Sequence, residues 1–333
     1  MADPNDPALR AELAGRIMGF MLSQAVYVAA KLEIADLLAE RPRPTDELSR
    51  AAGVHEESLY RLLRLLAGYG IFVEHAERSF GNSALSELLR EGPGSFREFA
   101  LIFGEEFYPA FVRTLEAVET GDPSFDAVFG MRYDDYLEAN PDASTRFNRF
   151  MAHGKEALAE LLAAEEWRGG ETVVDVGGGN GALLHALLDR RPELRGIVFD
   201  LPRVVVEAEA RMRSAGLSDR CKTLGGSFFD GLPAGGDVYV LSHILHGWED
   251  DRARDILRAV RRAIADRGRL LIVDGVVAPP NEPGLKLMDL LMLSLGGRER
   301  TEVEWRALLA DGGFELREMR PAPFGSLIEA APS

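Results

Sequence analysis

The stretch VVDVGGGNGALL, residues 173–184, limits the possible folds more than any other part of the chain. A β-branched run passes through Asp175, four of the five residues after Val176 are glycine, and an apolar helix-like stretch follows. Strand, tight turn and helix are predicted, with the turn open to a ligand, because glycine admits a bound group that a Cβ would exclude. From residue 171 onward the same rhythm continues. TVVDV, GIVFDL, CKTLGGSFF, DVYVL, RLLIVDGVV and GSLIEAA read as strands, with GALLHALLDRRP, VVVEAEARMRSAG and DRARDILRAVRRAIAD as helices between them. Such alternation predicts a Rossmann-like α/β domain, a parallel sheet with helices on both faces.

What the turn holds is a question of charge. GGGNGA, residues 177–182, satisfies the bare dinucleotide pattern G-x-G-x-x-[GA]. Asp175, two residues before Gly177, argues against a diphosphate, which it would repel. It would attract an ammonium or a sulfonium, and S-adenosylmethionine carries both. The second strand ends in Asp200, before Leu201, where an acid can accept hydrogen bonds from a ribose diol. A plain tight turn with Asp200 as a helix cap is the alternative, but it leaves two acidic strand ends beside one crevice unexplained.

The fourth strand runs into SHILHGWEDD and brings Ser242, His243, His246 and Trp248 to the crevice at the carboxyl ends of the strands. The two histidines, three residues apart, would share a helix face. A metal would need a third ligand, and none stands at suitable spacing, so no metal is expected. A general base fits better. Imidazole, with a pKa of about 6.5, can take the proton of a phenol of pKa about 10 as a methyl group arrives.

The first third of the chain is helical in pattern. Leu13, Ile17, Phe20, Met21, Ala25, Val28 and Leu32 recur at helical spacing. A short helix capped by Thr45, a turn at Gly53, the amphipathic helix ESLYRLLRLLAGYG and a strand at Ile71–Val73 with a return strand make a winged-helix pattern. Winged helices often bind DNA, yet Glu56 and Glu57 open the second helix. From Thr45 to Arg90 seven acids face five bases, a poor footprint for a polyanion. A packing or dimerisation module is the better reading, since the apolar helices leave an apolar face in want of a partner. Residues 96–165 continue helical and rich in aromatics, either as core or as walls for a flat apolar ligand.

Length and composition agree with this organisation. The 333 residues are long for one core and suggest two domains. A net charge of −16 disfavours nucleic acid as a partner. Cys221 stands alone, so no intramolecular disulfide forms, as in a reducing compartment. MADPNDPALR lacks the charged start and apolar core of a signal peptide, and no stretch approaches the ~18 uninterrupted apolar residues of a membrane span. A cytoplasmic protein without membrane partners is expected.

DVGGGNGALL, FDLPRVV, GSFFDGLPAGGDVYVLSHILHGWEDD, LLIVDGVV and LMDLLMLSLGGRERTEVEWRALLADGGF occur in this order. Together they resemble the S-adenosylmethionine-dependent O-methyltransferases of the plant caffeate type, in their bacterial secondary-metabolite branch. The resemblance implies a class I methyltransferase domain at 166–333, a winged-helix dimerisation domain at 1–105 that makes a homodimer, and a helical linker at 106–165 contributing to the pocket of an aromatic acceptor. It implies His246 as catalytic base, flanked by Asp274 and Glu299. Asp175, Gly177, Gly179, Asp200, Leu201, Ser227, Phe228, Ser242 and Trp248 are expected on the cofactor. Phe147, Met151, Met292 and Asp289 are expected on the acceptor. The chain departs from the family pattern in three places. Ser227 replaces an acid near the adenine, Ser242 stands where plant members have a lysine, and Asp274 is one methylene shorter than the usual glutamate, so that rearrangement or water would be needed to reach His246. N-methylation, a non-methylating reaction on a polyketide and a DNA-binding regulator are the alternative functions.

Overall fold

A computed structural model describes residues 5–92, 94–323 and 325–333, apart from the side chain of Glu77. The first four residues, part of the stretch examined above for a signal peptide, lie outside the described residues. The chain forms two compact units, Met1–Pro109 and Ala110–Ser333. The helical stretch expected as a linker from residue 106 therefore belongs, beyond Pro109, to the second unit.

In the first unit the 25-residue helix Pro7–Lys31 starts at Asp6, whose carboxylate accepts the Ala8 N–H. Only its later turns are buried, through Ala25, Ala29 and Ala30. Leu13, Ile17, Met18, Phe20 and Met21 are 48–66% exposed. By length and composition alone this helix is apolar enough to cross a membrane, a property that core helices of soluble proteins share, although it contains no long uninterrupted apolar run. Alanine, valine and methionine keep its average hydropathy high although Ser23 and Gln24 break the run.

Helices Thr45–Ala52 and Glu56–Gly68 flank Gly53, held at φ 68°. Leu59, Leu63 and Leu66 of the second face the core, one helical stripe. Strands β1 (Arg43–Pro44), β2 (Phe72–His75) and β3 (Ser79–Asn82) form an antiparallel sheet in the order β1-β3-β2, completing the winged-helix shape. Thr45 is not the cap the sequence suggested. Its hydroxyl donates to the Arg78 carbonyl at 2.7 Å, because the hairpin comes within reach and its backbone needs a donor.

The second unit is built on seven strands: β4 (Thr172–Val176), β5 (Arg195–Asp200), β6 (Cys221–Gly225), β7 (Val238–Ser242), β8 (Arg269–Asp274), β9 (Phe314–Ala322) and β10 (Gly325–Pro332). Their order is β6-β5-β4-β7-β8-β10-β9. The first five are parallel, whereas β10 runs antiparallel to both β8 and β9, so the sheet is mixed rather than all parallel. Strand β9 was not read from the sequence. It is charged, carries Pro321 and lies at the edge, where charge and proline are tolerated and block further pairing.

Alternation along the strands divides the core into two layers. Val173, Val198, Val240, Leu271, Val273 and Leu327 face Leu158, Leu162 and the leucines of helix Ala182–Arg190. Val174, Phe199, Tyr239, Leu241, Ile272 and Ile328 face Ile256, Leu257 and Val260 of helix Asp250–Ala263, with Trp305 and Leu309. Because β4, β5, β7 and β8 are parallel, Asp175, Asp200, Ser242 and Asp274 arrive at one edge of the sheet. Strand order reverses between β4 and β7, the place where such sheets hold ligands.

Candidate active site

The glycine turn leaves β4 with Gly177 at φ 69° and Gly179 at φ 58°, conformations that an L side chain resists. The N–H groups of Gly177 and Gly178 donate to the Phe199 carbonyl. Gly179 donates to Oδ2 of Asp200 at 2.8 Å and Leu201 to Oδ1 at 2.6 Å. Asp200 thus clamps the turn, and each of its oxygens keeps a lone pair for a further donor. Burial raises its pKa, while the two backbone hydrogen bonds pull it back. A Cβ at Gly179 would meet nothing within 4 Å, so the turn opens onto free space.

Asp175 lies beneath the turn rather than beside it. It is 2% exposed, and its Oδ2 is buried with no hydrogen-bond partner among the described residues. Burial pushes its carboxyl up to about 6, the charge of Lys155 opposing and that of Asp200 adding. An orphaned buried carboxylate oxygen below an open glycine cradle fits a cationic ligand such as S-adenosylmethionine. Beyond β6, the Ser227 hydroxyl accepts the Phe229 N–H at 3.2 Å, so it serves its own turn. Phe228 and Phe229 meet Trp248 edge to face at 5.9 and 4.9 Å, which makes the expected adenine neighbours one aromatic group.

His246 lies on a single 3-10 turn, Leu245–Gly247, just after β7. Its Nδ1 is 2.8 Å from Oε1 of Glu299 and 3.5 Å from Oδ1 of Asp274. The His246 N–H donates to Oδ2 of Asp274 at 3.2 Å. Asp274 thus bonds the main chain of His246 and stands beside the ring at 3.5 Å, without a hydrogen bond to it. Glu299 is the closer partner of the ring. Among the described residues nothing hydrogen-bonds to Nε2, and the side chain keeps 16% of its surface exposed. Burial works to lower the imidazole pKa, but Asp274 and Glu299 outweigh it and raise the value to about 9.

The histidines do not share a helix face. His243 has φ 59°, outside any helix, and its ring centroid is 5.8 Å from that of His246. A different set of potential ligand atoms, without His243, gathers from distant strands and loops. One ligand atom each of His246, Asp274 and Glu299 lies within 4.8 Å of the others. The 2.8 Å contact is that of a hydrogen bond to a ring N–H.

Several residues that position this group carry no sequence signal of their own. Arg300, wholly buried, donates to the carbonyls of Leu245 and Trp248 on either side of His246, and to Asp250. A Cβ on Gly297 would stand 2.2 Å from the His246 carbonyl oxygen, so only glycine allows that approach. Asp289, expected on the acceptor, accepts the Glu299 N–H at 2.9 Å and so holds the carboxylate's backbone. Lys155 opens helix Lys155–Ala163 and would pass for a surface lysine, yet its Nζ donates to the Ser242 hydroxyl at 2.9 Å.

The aromatic stretch is largely self-packed. Phe125, wholly buried, contacts Phe129, Tyr133 and Tyr136 at centroid distances of 4.3–5.5 Å, and Phe147 meets Tyr133 at 5.5 Å. Met292 is 7% exposed on helix Lys286–Leu295, and Met151, partly buried, ends helix Pro141–Met151.

Comparison with known proteins decides the family. An O-methyltransferase domain model matches residues 111–315, and an O-methyltransferase dimerisation domain model matches residues 16–92. The chain belongs to the O-methyltransferase family. This O-methyltransferase is 44% identical to the phenazine O-methyltransferase PhzM of Lysobacter antibioticus, over 95% of its own length and 94% of the relative's. It is 33% identical to the phenazine-1-carboxylate N-methyltransferase of Pseudomonas aeruginosa, over 92% of each chain. Its fold is similar to that of NcsB1, an O-methyltransferase of neocarzinostatin biosynthesis solved with S-adenosylmethionine and 2-hydroxy-5-methyl naphthoic acid. The TM-score is 0.83 at 35% identity, covering 93% of this chain and 96% of that one. The enzyme is an S-adenosylmethionine-dependent methyltransferase with an N-terminal dimerisation domain.

Proposed function

We propose that the enzyme methylates a hydroxyl, phenolic in character, on an aromatic small-molecule natural product, with Nε2 of His246 as the base. The observation that carries this reading is the pairing of His246 Nδ1 with Glu299 at 2.8 Å. With Nδ1–H held by a carboxylate, the basic lone pair belongs to Nε2. Glu299, assisted by Asp274, stabilises the imidazolium formed when the acceptor's proton arrives. Asp289 and Arg300 hold the backbones on which the pair depends.

Gly177, Gly179, Asp200 and Leu201 bind the ribose side of the donor, and Ser227, Phe228 and Trp248 its base. Asp175 and Ser242 flank its charged end. S-adenosylmethionine, when bound, supplies a methyl carbon already activated on a sulfonium. What the protein must add is position and a base, since a well-aligned acceptor needs little further activation. Phe147, Met151 and Met292 present apolar surface to the acceptor ring. The chain acts as a homodimer through its N-terminal domain, in the cytoplasm.

His246→Ala should bind S-adenosylhomocysteine as the parent does and lose about 10²–10⁴-fold in turnover. Undiminished turnover on the preferred acceptor would remove His246 from the base role. Chelators should leave the rate unchanged, whereas a chelator-sensitive rate restored by a divalent ion would turn His246, Asp274 and Glu299 into metal ligands. NMR of the product distinguishes an O-methyl from an N-methyl group.

A further inference from the structure

Resting on the donor-binding reading above, the layout of the sheet edge makes a finer assignment possible. On the β6 side of the crevice lie Phe228 and Phe229, which follow β6 and meet Trp248 from the segment after β7, and the diol-binding Asp200, which ends β5. A donor whose adenosine occupies that side must extend its amino-acid end toward β4 and β7, where strand order reverses. Ser242 ends β7 there, 5% exposed, and Asp175 lies on the adjoining strand.

Lys155 brings a positive charge to this end of the crevice. Among the described residues its Nζ has one hydrogen-bond partner, the Ser242 hydroxyl, although an ammonium carries three donors. Lysine can only donate, so Ser242 Oγ must accept, which leaves the hydroxyl proton for Nδ1 of His243, 3.2 Å away. The polar groups around the ammonium are thus arranged with two of its donors to spare. Asp175 and Asp274 are near enough to act on it by charge, yet burial still lowers its pKa overall, so the surroundings do not fully compensate it. An anion is the ligand that would complete such a site.

We propose that Lys155 binds the carboxylate of the donor's amino-acid moiety, with Ser242 steering its ammonium and Asp175 attracting the donor's cationic groups below. The strand-borne acid and the helix-borne lysine then read the two charges of one zwitterion. That explains why a lysine at a helix start is directed inward rather than into solvent.

The test is calorimetric and needs no turnover. Wild type, Lys155→Met and Lys155→Arg are titrated with S-adenosylhomocysteine, decarboxylated S-adenosylmethionine and 5′-methylthioadenosine. Lys155→Met should weaken S-adenosylhomocysteine about ten- to a hundredfold, the loss expected for a charged hydrogen bond. It should leave 5′-methylthioadenosine unchanged, bind the decarboxylated donor as well or better, and be largely rescued by Lys155→Arg. Equal losses for all three ligands would assign Lys155 to structure alone and overturn the proposal. Unchanged binding of S-adenosylhomocysteine, with a raised KM only for acceptors bearing a carboxylate, would move its partner to the acceptor and overturn it too. If wild type bound none of the three, the donor reading itself would fall, and this assignment with it. Wild type binding all three while Lys155→Met changes none would sink this assignment alone.

Discussion

His246 shows how two carboxylates set one imidazole. Burial alone would keep the ring neutral, but the negative charges of Asp274 and Glu299 win and raise its pKa to about 9. The base form therefore grows as pH rises, and kcat/KM of the free enzyme should climb about tenfold per pH unit below that value, then level. Glu299→Gln removes one negative charge and should move the limb to lower pH while lowering the plateau. A pH–rate profile of both proteins checks this, and an unmoved limb would discount Glu299. In stability the signs are opposite for the two central groups. His246, raised from 6.5, stabilises the fold fully below pH 6.5 and loses that contribution as pH rises through about 9. Asp175, raised from 3.8 to about 6, costs stability increasingly across that interval and fully above it. Asp175→Asn should therefore stabilise the protein at neutral pH by up to about 3 kcal/mol while weakening donor binding. Thermal melts at pH 4 and 7.5 with a donor titration read both effects.

Among the elements, the 3-10 turn Leu245–Gly247 carries the reactive group on three residues and cannot hold it alone. Arg300 and the Arg298 N–H, which donates to the His246 carbonyl at 2.8 Å, hold it from beyond helix Lys286–Leu295 in sequence, and Gly297 permits the close approach. Gly297→Ala would place a methyl group 2.2 Å from the His246 carbonyl oxygen, against backbone that cannot rotate away. We expect a drop in kcat of more than about tenfold, because a misplacement of an ångström is costly in a positioned reaction. Donor affinity should fall less than turnover, because, of the donor contacts proposed above, only Trp248 adjoins this segment. Circular dichroism and calorimetry beside the rate measurement separate a moved turn from an unfolded chain. Strands β4, β5, β7 and β8 were legible because each is apolar and bounded by turn residues. Strand β9 was not, since an edge strand has only one paired side and tolerates the charges that hide it.

For the whole molecule, helix Pro7–Lys31 presents an exposed apolar stripe, of which Phe20 alone is stacked on a ring, that of Tyr108, among the described residues. Ile17 and Met21, at 66% and 51% exposure, lie one helical turn apart. Burying such side chains in a dimer is worth about 1.5–3 kcal/mol each. Ile17→Asp with Met21→Asp should convert a dimer into a monomer at micromolar concentration without loss of helix content. Sedimentation velocity decides it, and a dimer that survives both aspartates would place the interface elsewhere. The sequence by itself determined the α/β sheet, the glycine turn, the acid-tipped strands and the winged helix. Those signals are local: periods of two and 3.6 residues, and glycines at fixed offsets. The resemblance implies Glu299 beside His246, 53 residues away; only the tertiary structure decided that Glu299 rather than Asp274 bonds the ring, that Asp289 serves Glu299, and that Lys155 turns toward Ser242. Those pairings depend on how distant segments meet in space, which no spacing along the chain encodes.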